Sequence, residues 1–185
     1  PRSLIIKNLL MKTIQSIFMV IFLFIAFEST AQNEEQQEII RDSELAREAF
    51  IANNPNLADL FKNASGYVIF PNVGKGAYIV GGAAGNGVVY QNGKAIGMAK
   101  LRQLDIGLQL GGQAFRQAIL FQTQAELDRF KKGNFELAST VSAVALEGKA
   151  KSIEFRDGLA VVTMPKAGAM IEVSVGGQKF EYESF

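Results

Sequence analysis

The sequence predicts an α+β fold in which N-terminal helices pack on a curved, barrel-like antiparallel β-sheet with one short inserted helix. Three observations carry that reading. All eighteen glycines fall between Gly66 and Gly177, so the chain ahead of them suits helices and the chain within them is punctuated for turns. Apolar residues recur at helical spacing before Gly66 and in short alternating or continuous runs after it. The later runs are separated by Asn92-Gly93, Asp157-Gly158 and Gly176-Gly177, pairs that tolerate positive φ.

Taken in order, residues 1–32 read as an upstream extension and a cleaved export signal. Met11-Lys12 supplies a start and a positive charge, and Ile17 to Phe27 is an unbroken apolar run of eleven. Ser29 and Ala31 place small residues where a signal peptidase inspects them, so cleavage is expected after Ala31. A spanning helix needs ~20 apolar residues, and Lys7, Lys12 and Gln15 interrupt any upstream extension of the run. The expected location is therefore periplasmic or secreted.

Residues 33–63 form the helical segment and 64–185 the β-rich one, with 33–185 folding as a unit. Ile39, Ile40, Leu45, Ala49 and Phe50 fall near helical spacing, and Asn53-Asn54-Pro55 stops that helix because the residue before proline avoids the helical region. Asn56 to Asn63 is a second, short helix. Strands are expected at Tyr67–Phe70 (ending at Pro71), Ala77–Val80, Val88–Tyr90, Lys94–Leu101, Ile106–Leu110 and Phe115–Gln122. Further strands follow at Phe135–Ala145, Ile153–Arg156, Leu159–Met164, Met170–Val175 and Gln178–Tyr182. Val88–Tyr90 and Lys94–Leu101 make a hairpin across Asn92-Gly93. Thr123 and Glu126 have capping-box spacing and open the inserted helix, which ends near Gly133. Tyr67, Ile69, Phe115, Phe121, Phe130, Leu159 and Val161 are the expected core.

Composition excludes several chemistries. Without residues 1–32 the chain loses Arg2, Lys7 and Lys12 against Glu28, so nineteen basic and eighteen acidic residues become sixteen and seventeen, a formal charge of −1. Nucleic-acid binding needs a basic footprint that this balance does not provide. With no Cys and no His, neither disulfides nor Ser-His-Asp or Cys-His hydrolysis is available. No cofactor is expected. Asp105, Glu126, Asp128 and Glu147 are the carboxylates on which acid–base chemistry would have to rest. No local spacing holds two of them ~5–10 Å apart as glycoside hydrolysis requires, and a non-enzymatic protein is the expectation. Gly85 and Gly87 lack a third glycine at position 90, which is Tyr90, so the cluster fits no dinucleotide loop and reads as close strand approach.

The run ASGYVIFPNVGKGAYIVGGAAGNGVV over residues 64–89 resembles the opening of the SYLF domain. Gly107–Gln113 is similar to that family's glycine-and-glutamine strand, Ala118–Phe130 to its strand-then-short-helix segment, and AGAMIEVSVG over residues 167–176 to its C-terminal strand. The pieces occur in order and cover Leu60 to Tyr182. The resemblance implies a lipid-binding module whose eukaryotic relatives bind phosphoinositide-bearing membranes and in some cases actin. Those relatives use a basic amphipathic N-terminal helix, whereas this chain has Glu34, Glu35, Glu38, Asp42, Glu44 and Glu48 against Arg41 and Arg47. Such a helix is expected to pack its apolar stripe on the sheet. Lys75, flanked by Gly74 and Gly76 in the family motif, is the leading candidate for contact with a phosphate or carboxylate. Lys94, Lys100 and Arg102 are expected to share its patch. The expected partner is an anionic lipid or membrane surface, and the alternative is a protein partner in the cell envelope.

Overall fold

The break at Asn53-Asn54-Pro55 is where the first helix ends. In a computed structural model of the protein, α1 occupies 34–53 and α2 Asn56–Asn63. The Asn54 side-chain oxygen accepts from the backbone N–H of Asn56 at 3.2 Å, an Asx turn that reverses the chain between them. The structure describes residues 34–74, 82–104, 114–138, 141, 143–146, 153–166 and 175–185. The chain divides into Pro1–Glu38, of which only residues 34–38 are described, and Ile39–Phe185, which contains the whole sheet and both apolar clusters. The export signal, Lys75 and the strands expected at Ala77–Val80 and Ile106–Leu110 lie outside the described residues, as does nearly all of Met170–Val175.

Among the described residues eight strands form one curled sheet: β1 (Gly66–Val73), β2 (Gly82–Gln91), β3 (Lys94–Leu104), β4 (Phe115–Phe121), β5 (Phe135–Glu136), β6 (Val144–Ala145), β7 (Leu159–Pro165) and β8 (Lys179–Ser184). Their order is β5-β8-β3-β2-β1-β4-β7-β6. Each of these pairings is antiparallel except β6 with β7, which is parallel. The inserted helix α3 (Gln124–Lys131) is capped by Thr123, whose hydroxyl accepts from the Glu126 N–H at 3.4 Å. The α+β architecture expected from the sequence is thus the one present.

Local chemistry sets the turns. Asn92 and Gly93 both adopt positive φ (51° and 73°), the backbone of a two-residue hairpin that follows the strand twist. A side chain on Gly87 would run into the Ile69 carbonyl and the Phe70 ring, at 2.5 and 2.6 Å, so this glycine lets β2 press against β1.

Three strand expectations need correction. β1 does not end at Pro71 but runs on to Val73, because the register slips between Phe70 and Val73 and the proline sits in that bulge. The slip also turns Val73 inward with Phe70. Phe135–Ala145 is not one strand: Phe135-Glu136 pairs with β8, Val144-Ala145 pairs with β7, and the chain between them joins the two edges of the sheet. The alternation of Phe135, Leu137, Val141 and Ala143 is nevertheless meaningful, since all four face the interior. Ile153–Arg156 forms no ladder beyond one bridge from Arg156 to Leu159.

Two apolar clusters lie on the two faces. The inner one joins Phe70, Phe115, Phe121, Phe135 and Phe180 with Leu127 and Phe130 of α3. The outer one packs Ala46 and Phe50 of α1 and Leu57 and Phe61 of α2 on Tyr67, Ile69, Val88, Leu120 and Val162. All seven residues expected in the core are buried. Across the interior, Gln178 and Gln117 exchange two amide hydrogen bonds (2.6 and 3.0 Å), and Gln178 also donates to Gln103 at 3.1 Å. This polar strut ties the start of β8 to β3 and to β4 on the far side of the curl.

Candidate functional site

Of the cations singled out in the sequence, Lys75 lies outside the described residues, and Lys94 stands apart from Lys100 and Arg102. Lys94 opens β3 beside the hairpin turn, six residues from Lys100, or roughly 20 Å along the strand. Lys100 and Arg102 are exposed, two residues apart on one face, past the part of the sheet that α1 and α2 cover. Their neighbours on β8 are charged too: Lys100 pairs in register with Glu181 and Arg102 with Lys179. Arg102 reaches Glu181 at 4.0 Å, and Lys179 reaches Glu136 at 3.9 Å. The result is a mixed-charge ladder in which each cation has a carboxylate close by. Exposed pairs of this kind contribute little to stability, ~0–1 kcal/mol.

A concave feature lies elsewhere. Beside the β6–β7 edge is a groove of about 410 Å³, lined by Val141, Ala143, Val144, Ile153, Leu159, Ala160 and Val161 together with Glu154, Arg156 and Asp157. It sits where the chain crosses from one sheet edge to the other. The backbone groups of Arg156 and Leu159 exchange hydrogen bonds of 2.8 and 3.0 Å across a turn in which Asp157 and Gly158 take positive φ. That turn leads into β7, and its Arg156 and Asp157, both exposed, are among the residues that line the groove. Arg156 makes no ion pair with any carboxylate among the described residues.

No family profile matches the chain. Beta cell expansion factor A of Aeromonas veronii is 27% identical to it over 128 residues, 68% of this chain and 49% of that protein. The chain therefore spans about half the length of the curated relative it matches. A crystal structure of a beta-barrel-like protein from Brucella abortus covers 71% of this chain and 82% of its own at 20% identity, with a TM-score of 0.43.

The candidate carboxylates are dispersed among structural tasks. Glu126 pairs with Arg129 at 3.0 Å and Asp128 with Lys131 at 4.0 Å, both along α3, while Asp105 and Glu147 lie outside the described residues. Among the described residues no group of three acidic side chains is placed to hold a metal ion.

A second polar cluster lies under α1, and sequence reasoning missed it. Arg47 donates to the Tyr67 hydroxyl at 3.1 Å, and the Tyr67 ring stacks on Tyr90 at 5.0 Å. Burial pushes the Tyr90 phenol well above its usual range, with Glu44 and Tyr67 adding to the shift and Arg47 opposing it. The signal available was Arg47 on the apolar stripe of α1, four residues after the buried Ser43. This cluster fastens α1 to the sheet. The groove escaped notice for another reason: its lining comes from two stretches of chain that the sequence reads as plain strands.

Proposed function

We propose that the chain is an exported, non-enzymatic domain of the SYLF type that binds a lipid or another amphiphile. The groove carries this reading. It gathers seven apolar residues with Glu154, Arg156 and Asp157, and its volume falls within the ~300–1,000 Å³ of small-molecule sites. Support for the family comes from the four ordered stretches of resemblance. Support for export comes from the short apolar run at Ile17–Phe27 with Ser29 and Ala31 after it.

The ligand belongs in the groove and not on the cations of β3, because the ladder around Lys100 and Arg102 interleaves both signs. Lipid extraction and mass spectrometry of the purified protein test the reading directly: a co-purifying amphiphile is expected, and a ligand-free protein that takes up none from mixed lipid would refute it. Vesicle co-sedimentation across a salt series, with Lys100→Glu and Arg102→Glu combined, tests the anionic-surface version. Salt-sensitive binding abolished by that pair would move the site to the sheet face. N-terminal sequencing of the exported protein is expected to begin at Gln32.

A second reading, a protein-interaction module of the cell envelope, is favoured by one observation. The outer face of β3 and β8 past Met98 carries the exposed Lys100, Arg102, Lys179 and Glu181, and Phe185 beside it exposes its side chain. Retention of a protein partner by the wild type but not by a Phe185→Asp variant would support it.

A further inference from the structure

We propose that the polar cluster beneath α1 is a binding site for one internal water molecule, held by the Tyr90 hydroxyl and the Arg47 Nε–H, which completes the seat of that helix on the sheet.

The cluster holds more hydrogen-bond donors than acceptors. Tyr67 and Tyr90 are register partners on β1 and β2, so both rings leave the sheet on the same face, where they stack 5.0 Å apart with planes 18° from parallel. Arg47 lies over them, and its Nη1 donates to the Tyr67 hydroxyl at 3.1 Å, which occupies that oxygen as an acceptor. Ser43, one turn earlier on α1 and fully buried, donates its own proton to the Ile69 carbonyl at 3.4 Å. Two donors are left, the Tyr90 O–H and the Arg47 Nε–H. Both atoms are closed off from bulk solvent, and neither has a hydrogen-bond partner among the described residues. Ser43 stands near enough to the Tyr90 phenol to temper its upward shift, yet it does not meet the hydroxyl in a hydrogen bond.

Buried donors left unmet are costly, so the cluster calls for a small oxygen acceptor. A carboxylate of the chain does not supply it. Arg47 makes no ion pair among the described residues, and Glu44 is exposed and acts on the Tyr90 phenol only through its charge. A bound anion is disfavoured twice over: it would meet the field of Glu44, and it would have to reach donor atoms that solvent does not. Water carries no charge, accepts from both donors, and can donate in return to the lone pairs of the Tyr67 and Ser43 oxygens. That meets the two to four hydrogen bonds an internal water ordinarily makes. The helix is then seated by Ala46 and Phe50 through apolar contact and by Ser43 and Arg47 through a closed polar network.

The test combines a crystal structure of the purified protein, at a resolution that shows ordered water, with water–protein nuclear Overhauser spectra of the labelled chain. The crystal should show a single-atom density peak within hydrogen-bond distance of both Tyr90 Oη and Arg47 Nε. In solution the Arg47 Nε–H should give a cross-peak to water with the sign of a long-lived bound molecule. Tyr90→Phe keeps the ring and removes one of the two holders, so that cross-peak should be lost while a melting curve shows the fold intact. Arg47→Lys removes the other holder, and in it the density peak should disappear. A Tyr90 hydroxyl bonded directly to Ser43 or Glu44, with no peak between it and Arg47, would overturn the proposal. So would a cross-peak that persists unchanged in Tyr90→Phe. Added inorganic phosphate that raises the melting temperature of the wild type but not of Arg47→Lys would overturn it in favour of an anion.

Discussion

Strands β1, β4 and β7 are buried along nearly their whole length, whereas β8, at the other side of the same sheet, alternates and then opens to solvent. The difference is set by what lies on the outer face. Over β1, β4 and β7 that face is covered by Phe50, Leu57 and Phe61 from the two helices, so both sets of alternate side chains must be apolar. Beyond Ala95 and Met98 of β3, which still pack against the outer cluster, the outward positions of β3 and β8 are the exposed Lys100, Arg102, Lys179 and Glu181. One continuous sheet thus has a two-sided core on one flank and a one-sided core on the other.

The largest expected effects come from the doubly covered flank. Phe121 is fully buried and meets Phe130 and Phe135 at 5.1 and 6.3 Å. Phe121→Ala should cost ~3–5 kcal/mol, read as a fall in denaturation midpoint. Phe50→Ala should cost a comparable ~3–5 kcal/mol through the outer face alone. If it proved neutral, α1 would not be part of the core and the contrast between the flanks would collapse.

The strut that joins the flanks comes next. Gln178→Leu takes two hydrogen bonds from the buried amide of Gln117 and one from that of Gln103, at a cost of ~1–3 kcal/mol. A double variant that also makes Gln117 apolar should recover part of that loss, and equilibrium unfolding of the pair measures the coupling.

A pH effect sharpens the role of α1. The Tyr90 phenol is held protonated in the folded protein beyond its ordinary value of ~10. Its contribution to stability is complete below that value and is lost as the pH rises above it, because the unfolded chain ionises first. Alkaline unfolding should therefore move to higher pH in Tyr90→Phe, with stability at neutral pH changed by no more than ~1 kcal/mol. An unmoved midpoint would place the controlling group elsewhere.

The smallest effect belongs to the open flank. Glu181→Ala breaks a pair to Arg102 between side chains more than half exposed, and the melting temperature should shift by an amount matching under ~1 kcal/mol.

The same contrast explains what the sequence discloses. The helix break at Asn54-Pro55, the Asn92-Gly93 hairpin and the Thr123 cap are legible because each is local chemistry contained in a few residues. Burial of Tyr67, Ile69, Phe115 and Phe121 is legible because apolar runs in short strands have few other uses. What stayed hidden depends on partners distant in sequence. Proline is a poor guest in a paired strand, so Pro71 read as a stop, yet a bulge accommodates it within β1. Phe135 to Ala143 alternates as a strand does, but its hydrogen bonds pass from β8 at one end to β7 at the other. Of the candidate site, the cations of β3 were visible as residues, but not that Lys94 stands apart or that acids of β8 intervene. The groove, made from residues 141–144 and 153–161, has no local signature at all.

That passage from one edge strand to the other has a mechanical consequence. Leu137 is bonded to Gln178 beside β8 and Leu146 to Thr163 in β7, so a short stretch of chain is anchored to both rims of the curl. From Leu137 to Leu146 is nine residue steps, and a fully extended chain reaches at most ~3.6 Å per step, so while both anchors hold the rims can part by no more than roughly 32 Å. The connection therefore sets an upper limit on the gap between the two rims, and a single backbone cut within it would remove that limit without touching either anchor.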